Sequence, residues 1–220
     1  MKWKAQIATL LVLTWAASAQ TVGNQVNNGN RISWQPFHMA FPSTGPHSTI
    51  PHEMITRLKI ANWPIVLEKT ELTDAQKHFG GSIGSQGDAS EYEQWLCLYQ
   101  RDDNDGWVLW LTSGEIDGGY ISGFVWLHVT ANQKIDSRCK KVSTKLGGIE
   151  LPIQLHLGTT RTEVENLLGQ PSGKFRNTFM YEHEHKLTIR QEPYMTMNSI
   201  YIVYQEDIVR VIQVEKTTQN

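Results

Sequence analysis

The sequence predicts an α+β fold of two tandem units, each a short helix followed by a three-stranded antiparallel meander. Two observations lead there. The first is a repeat at a constant offset of 89 residues. Lys69-Thr70-Glu71-Leu72-Thr73-Asp74-Ala75-Gln76-Lys77-His78-Phe79-Gly80-Gly81-Ser82 returns as Gly158-Thr159-Thr160-Arg161-Thr162-Glu163-Val164-Glu165-Asn166-Leu167-Leu168-Gly169-Gln170-Pro171-Ser172. Each stretch has a threonine, an acid, a short helical apolar pattern and a glycine stop. The second observation is that three β-rich runs follow each stretch, so element order repeats as well as residue pattern.

Each helix carries its own signals. Thr70 or Thr73, and Thr159 or Thr162, are natural N-caps, with Asp74 and Glu163 in the first turn. Gly80 and Gly169 supply the left-handed residue that ends a helix, and Pro171 prevents the second from resuming. The strand runs of the first unit are 91–100, 107–113 and 124–129. Asn104-Asp105-Gly106 and Asp117-Gly118-Gly119 between them favour the positive φ of hairpin turns. The runs of the second unit are 177–190, 199–204 and 208–215, with the weaker turn signal Glu206-Asp207 before the last.

Ahead of the units the chain reads differently. Met1-Lys2-Trp3-Lys4, an apolar run from Ala5 to Ala17, and Ala17-Ser18-Ala19 before Gln20 have the form of a cleavable secretory signal over residues 1–19. The run is shorter than the roughly 20 residues that span a bilayer. No cysteine stands at the cleavage point, so neither a membrane span nor a lipid anchor is expected. Residues 20–53 are rich in Asn, Gly, Ser and Pro and read as a flexible N-terminal arm, on which Trp34, Phe37, Met39 and Phe41 are placed to dock. Pro42, Pro46 and Pro51 argue against regular structure there. The first unit is then residues 54–145 and the second 146–220.

Loss of Lys2 and Lys4 takes Lys+Arg from 20 to 18 against 22 acids, a net charge of −4. An acidic chain without basic clusters gives no reason to expect nucleic acid. The chain has two cysteines, Cys97 and Cys139. In an oxidising compartment they read as one disulfide, secreted or periplasmic, closing a loop of about 43 residues.

Period two sorts the first sheet into faces. Leu96, Leu98, Leu109, Leu111, Val125, Leu127 and Val129 make an aliphatic set, the natural floor for a helix layer. The alternate positions collect Trp95, Cys97, Tyr99, Val108, Trp110, Phe124, Trp126 and His128. Two readings of this second face stand open. Its rings are core, packed on the second unit or the arm, or they form a partner-binding surface led by Trp95, Tyr99, Trp110, Phe124 and Trp126.

The second helix stretch, Leu157-Gly158-Thr159-Thr160-Arg161-Thr162-Glu163-Val164 through Leu168-Gly169-Gln170-Pro171-Ser172, resembles the helix motif of the small outer-membrane assembly lipoproteins of the SmpA/OmlA type. That resemblance implies short helices packed on a three-stranded antiparallel sheet in each unit. Two such units in one secreted chain are similar in architecture to the β-lactamase-inhibitory proteins, which implies binding to another protein through the open sheet face. The resemblance covers about residues 149–215, and 66–129 only through the internal repeat. The chain departs from it in lacking a lipid-attachment cysteine and a disulfide in the second unit. It carries no catalytic residues across.

Constellations with chemistry are sparse. Gly80-Gly81-Ser82-Ile83-Gly84 matches a nucleophile elbow in letters, but a helix precedes it where a strand is required. Asp102-Asp103-Asn104-Asp105-Gly106 lacks the spacer and terminal Glu of a calcium loop. Asp117-Gly118-Gly119 opens no helix and so makes no phosphate cradle. His183-Glu184-His185 puts two imidazoles on one strand face, a spacing some metal sites use, with His128, His156 or Glu192 as possible third ligands. The leading expectation is therefore a non-enzymatic, cofactor-free protein that binds another envelope or extracellular protein. The alternatives are a metal-binding protein or enzyme centred on His183 and His185, and a soluble envelope-assembly factor.

Overall fold

A computed structural model describes residues 31–39, 55–88, 92–103, 105–143, 148–189 and 192–219. The expected signal segment, arm residues 20–30 and 40–53 (Phe41 and the three prolines included), Asn104 and the boundary between the expected units lie outside the described residues.

In chain order the elements are β1 (Arg31–Ile32), β2 (Arg57–Ile60), β3 (Trp63–Val66), α1 (Leu72–Phe79), β4 (Ile83–Gln86), β5 (Glu93–Arg101), β6 (Asp105–Gly114) and β7 (Gly123–Thr130). Then come β8 (Lys134–Ile135), β9 (Lys140–Lys141), β10 (Ile149–Glu150), α2 (Arg161–Leu168), β11 (Gly173–Phe175), β12 (Thr178–Ile189), β13 (Glu192–Gln205) and β14 (Ile208–Gln219). Strands hold 55% of this structure and helical turns 12%.

The expected α+β fold of two units, each with its own three-stranded sheet, is corrected by the pairing. One nine-stranded sheet runs β11-β12-β13-β14-β7-β6-β5-β4, with β9 added beside β5. A helix and four strands do follow one another twice, with α1 and α2 starting 89 residues apart at Leu72 and Arg161. The two halves, however, join edge to edge through β14 and β7, from Val211↔Leu127 to Glu215↔Gly123. The physical reason lies in composition. Phe124 to Leu127 on β7, and Val211, Ile212 and Val214 on β14, are buried on both faces. A strand covered on both faces would bring unpaired N–H and C=O groups into the interior if its edge stayed open. Pairing the two strands satisfies those groups, so two separate sheets become one. The short strands β4 and β11, too brief for a period-two signal, extend each half from three strands to four.

Both helices lie on one face of the sheet. Leu72 and Ala75 of α1 and Val164 and Leu168 of α2 belong to one buried cluster with Leu96, Leu98, Leu109, Leu111, Phe124, Trp126, Phe179, Ile202 and Ile212 of the sheet. Complete burial of one such leucine stabilises by about 1.5–3 kcal/mol. The same contact sets each helix start: Glu71 bridges Tyr120 before β7, and Thr160 bridges Ile208 at the start of β14. In α2 the N-cap is Thr160, whose hydroxyl accepts from the Glu163 amide while Glu163 reaches back to the Thr160 amide. In α1 the N-cap is Glu71, without a side-chain cap. Thr70 instead takes the Val66 N–H on its hydroxyl.

The Glu206-Asp207 turn adopts positive φ at both residues, 55° and 59°, without glycine. Asp207 is held there by α2: its carbonyl accepts the Arg161 amide and its carboxylate the Arg161 guanidinium. A small second sheet, β10-β2-β3, was not predicted. Its hairpin turns at Ala61-Asn62, again with positive φ and no glycine, and Pro64 is tolerated because β3 is an edge strand.

Candidate functional site

The sheet face opposite the helices is occupied by the chain's own residues 31–39. Ile32, Phe37 and Met39 are buried in one cluster with Trp95, Cys97, Val108, Trp110, Val125, Leu127, Val129 and Cys139, and Trp34, Tyr99 and Ile135 pack at its margin. The segment begins beside β8, where β1 pairs in parallel and the Asp136 amide donates to the Ile32 carbonyl. Asp136 is buried, and the Arg138 guanidinium and backbone N–H hold its carboxyl well below the usual carboxylate range. Arg31 adds a second cation to it at 3.4 Å.

From there the segment crosses β5, β6 and β14. Trp34 meets Trp95 edge-on at 5.3 Å, and the Arg138 guanidinium lies 4.4 Å above the Trp34 ring. The Trp95 indole in turn rests on Gly84, where any Cβ would fall within 2.6 Å of the ring. The Trp110 N–H donates to the Trp34 carbonyl at 2.9 Å, and Phe37 stands edge-on to Trp110 at 5.8 Å. Gln213, fully buried between Ile212 and Val214, reads the backbone of Met39. Its Oε1 accepts the Met39 N–H at 2.8 Å and its Nε2 donates to the Met39 carbonyl at 3.2 Å.

His38 lies between two carboxylates drawn from the two halves of the sheet. Its Nε2 is 2.7 Å from Glu93 of β5 and its Nδ1 is 3.6 Å from Glu215 of β14. Burial pulls the imidazole pKa down, but the pairs with Glu215 and Glu93 outweigh it and raise the value from 6.5 to about 10. At neutral pH the ring is therefore a cation that ties residues 31–39 to both halves.

No family model matches the chain, and neither a curated protein nor a solved structure matches it.

The residues singled out from sequence divide unevenly over this geometry. Cys97 and Cys139 form the disulfide, which anchors β9 and its neighbourhood to β5. The five aromatic candidates do not share a face. Trp95 and Trp110 lie fully buried under residues 31–39, with half-buried Tyr99 beside them. Phe124 and Trp126 are buried on the helix side with Leu109 and Leu111. The register decides this: Trp110 stands opposite Val125, and Leu109 opposite Trp126. Sequence alternation alone puts Val125 and Leu127 on the helix side, the opposite of what the register shows, because period two orders residues within a strand and leaves its phase against the next strand undetermined.

His183 and His185 share the helix-side face of β12, opposite Asn198 and Thr196 of β13. Among the described residues no three His, Cys, Asp or Glu side chains gather to hold a metal. His128 instead pairs with Asp105 and Arg210, and His156 contacts the Leu157 carbonyl. Ser82 lies in the glycine turn between α1 and β4, and Asp102 lies in the β5–β6 turn, its N–H donating to the Asp105 carbonyl. Asp117 takes the Gly114 amide, and Gly118 and Gly119 follow with positive φ.

Sequence reasoning missed His38, Glu93, Gln213 and Glu215. Gln213, the one polar residue in the apolar run Val211–Val214, was the one available signal. It also missed a cleft of about 600 Å³ edged by Ile116, Tyr120, Leu187 and Lys216. There the Glu68 carboxylate takes the Lys216 ammonium, the Thr218 amide and the Thr218 hydroxyl.

Proposed function

We propose that this protein is a non-enzymatic binding module, secreted or periplasmic, whose helix-free sheet face receives an extended segment of another protein. One observation carries the reading: residues 31–39 are held in the manner of a bound peptide. Two aromatic side chains dock against Trp95 and Trp110, a buried glutamine reads one backbone N–H and C=O, and a cation is gripped by two carboxylates. Side-chain pockets combined with backbone reading are what peptide-receiving surfaces use for specificity and affinity. Trp and Tyr supply much of the energy at such surfaces. The chain's own segment competes for the face, so a partner segment binds by displacing it. The Cys97–Cys139 bond supports an oxidising compartment.

The test uses the full chain with its segment weakened by Phe37→Ala and His38→Ala, and a fluorescein-labelled peptide of sequence 31–39. The weakened protein is expected to bind the peptide saturably. Unlabelled peptide should compete, and a peptide with Trp34 and Phe37 replaced by Ala should not. A folded variant that ignores the peptide at millimolar concentration would sink the proposal.

A further inference from the structure

We infer that the face covered by residues 31–39 selects its partner segment by charge: the residue seated between Glu93 and Glu215 has to be a cation. That cation comes one position after a docked aromatic and one before the residue whose backbone Gln213 reads. The inference rests on the peptide-receiving reading proposed above and names the class of segment such a face takes. How the two carboxylates reach one place is the first observation. Glu93 lies on β5 and Glu215 on β14, with β6 and β7 between them in the sheet. Three strand spacings separate their backbones, about 14 Å. The two side chains nevertheless converge on one imidazole, at 2.7 Å and 3.6 Å. Gly123 of β7 stands opposite Glu215, and a Cβ there would fall 3.5 Å from Glu215 Cγ and 3.0 Å from Thr112 Oγ1. A larger side chain at that position would stand in the gap between Glu215 and β5.

Each carboxylate is oriented by the sheet itself, independently of the segment. Gln86 of β4 donates its amide to Glu93 Oε2 at 3.2 Å, and Gln213 of β14 donates to Glu215 Oε1 at 2.7 Å. Neutral amides fix the direction of the acids and leave their charges in place. Among the described residues, the ion pairs of both acids run to His38. A segment that departs takes this cation with it, and two negative charges then face one seat. An uncharged occupant leaves them uncompensated, and an acidic one adds a third like charge.

Gln213 also fixes the register of the cation. The Nε2 that orients Glu215 donates as well to the Met39 carbonyl, and Oε1 accepts the Met39 N–H. Charge seat and backbone clamp therefore lie one residue apart along the segment. On the other side of His38, Phe37 is buried edge-on to Trp110. Aromatic, cation and apolar residue thus follow one another in a set order. A segment shifted by one residue would push an aromatic or apolar side chain between two carboxylates. Arginine suits the seat as well as histidine does. Its planar fork donates to two acceptors at once, and its charge persists at every working pH.

The test titrates the full chain carrying Phe37→Ala and His38→Ala with fluorescein-labelled 31–39 peptides that differ only at His38. The informative changes then sit in the ligand, and the whole series uses one folded protein. The His38→Arg peptide should bind at least as tightly as the native one. His38→Gln should bind about tenfold more weakly, and His38→Glu about a hundredfold more weakly or worse. Adding Glu93→Gln and Glu215→Gln to the protein should narrow the ratio between the Arg and Glu peptides to about threefold. Circular dichroism verifies that this protein folds, and the peptide series on its own suffices to refute the inference. Peptides that all bind alike overturn it while the peptide-receiving reading stands. So does a preference for Arg that persists in folded protein without the two acids. If no peptide of the series binds, the peptide-receiving reading falls and takes the inference with it.

Discussion

The two halves of the sheet repeat one order of elements, helix then four strands, and yet close themselves in different ways. The first half, β4 to β7, is sealed. Its helix-free face carries residues 31–39, its outer edge carries β4 and β9, and a disulfide ties that edge down. In the second half, β11 to β14, the short strand β11 pairs with β12 only from Thr178 to Met180, and Met195 and Met197 of β13 are exposed. The difference teaches that a repeated topology does not carry repeated boundary conditions. Burial of one face is local to each half, whereas covering the other face and an edge depends on what the rest of the chain supplies. Here residues 31–39 cover the first half and reach onto β14 of the second, through Gln213 and Glu215. The face that residues 31–39 cover is the one proposed to receive a peptide.

The largest effect that bears on this contrast comes from the disulfide. Its loop of about 43 residues stabilises by about 4 kcal/mol in the chain-entropy model. Replacing Cys97 and Cys139 by Ser should therefore lower the unfolding midpoint in urea markedly. Hydrogen exchange sharpens the test: amides of β5 and β6 should lose more protection than those of β12 and β13. Equal loss in both halves would mean that the sheet opens as one unit, and the contrast would dissolve.

Next comes His38, the link between the sealed half and the rest. Its folded value, about 10, stands above the ordinary 6.5 because the carboxylates of Glu215 and Glu93 outweigh burial. The folded state then holds the proton more tightly than the unfolded chain. The contribution is complete below about pH 6.5 and is lost as pH rises through about 10. With the ring 39% exposed and screened by solvent, it is worth about 1–2 kcal/mol. Native protein minus His38→Gln should show that slope in unfolding free energy, together with easier quenching of tryptophan fluorescence at high pH. A flat difference between pH 6 and 10 would remove His38 as the fastener.

The smallest effect separates the two helices. Thr160→Ala removes a capping box and should cost about 1 kcal/mol. Glu71→Ala, at an N-cap whose side chain makes no cap bond, should cost no more than about 0.3 kcal/mol. Equal costs would show that the helix starts are set by the Tyr120 and Ile208 bridges alone.

How much of this was legible in the residues depends on the range of the interaction involved. The helices, six of the strand runs and the disulfide pair came from signals that act within a few residues or from a simple count: caps and glycine stops, alternation, and two cysteines in a secreted context. The candidate site was legible only in its tryptophans, because Trp95 and Trp110 belong to a strong local pattern. Their cover did not show, since residues 31–39 have no period and gain their conformation from the surface they lie on.

The sequence by itself determined where the chain turns helical or extended, and that one face of each half is apolar. Tertiary structure decided the rest: the phase of β7 against β6, the union of β7 with β14 and the seat of residues 31–39. Those depend on which strand edges remain unpaired and which faces remain wet after all the local elements have formed. Such quantities exist only for the whole chain, because a ladder hydrogen bond or a covered ring is a relation between residues as distant as Trp34 and Trp110, or Met39 and Gln213.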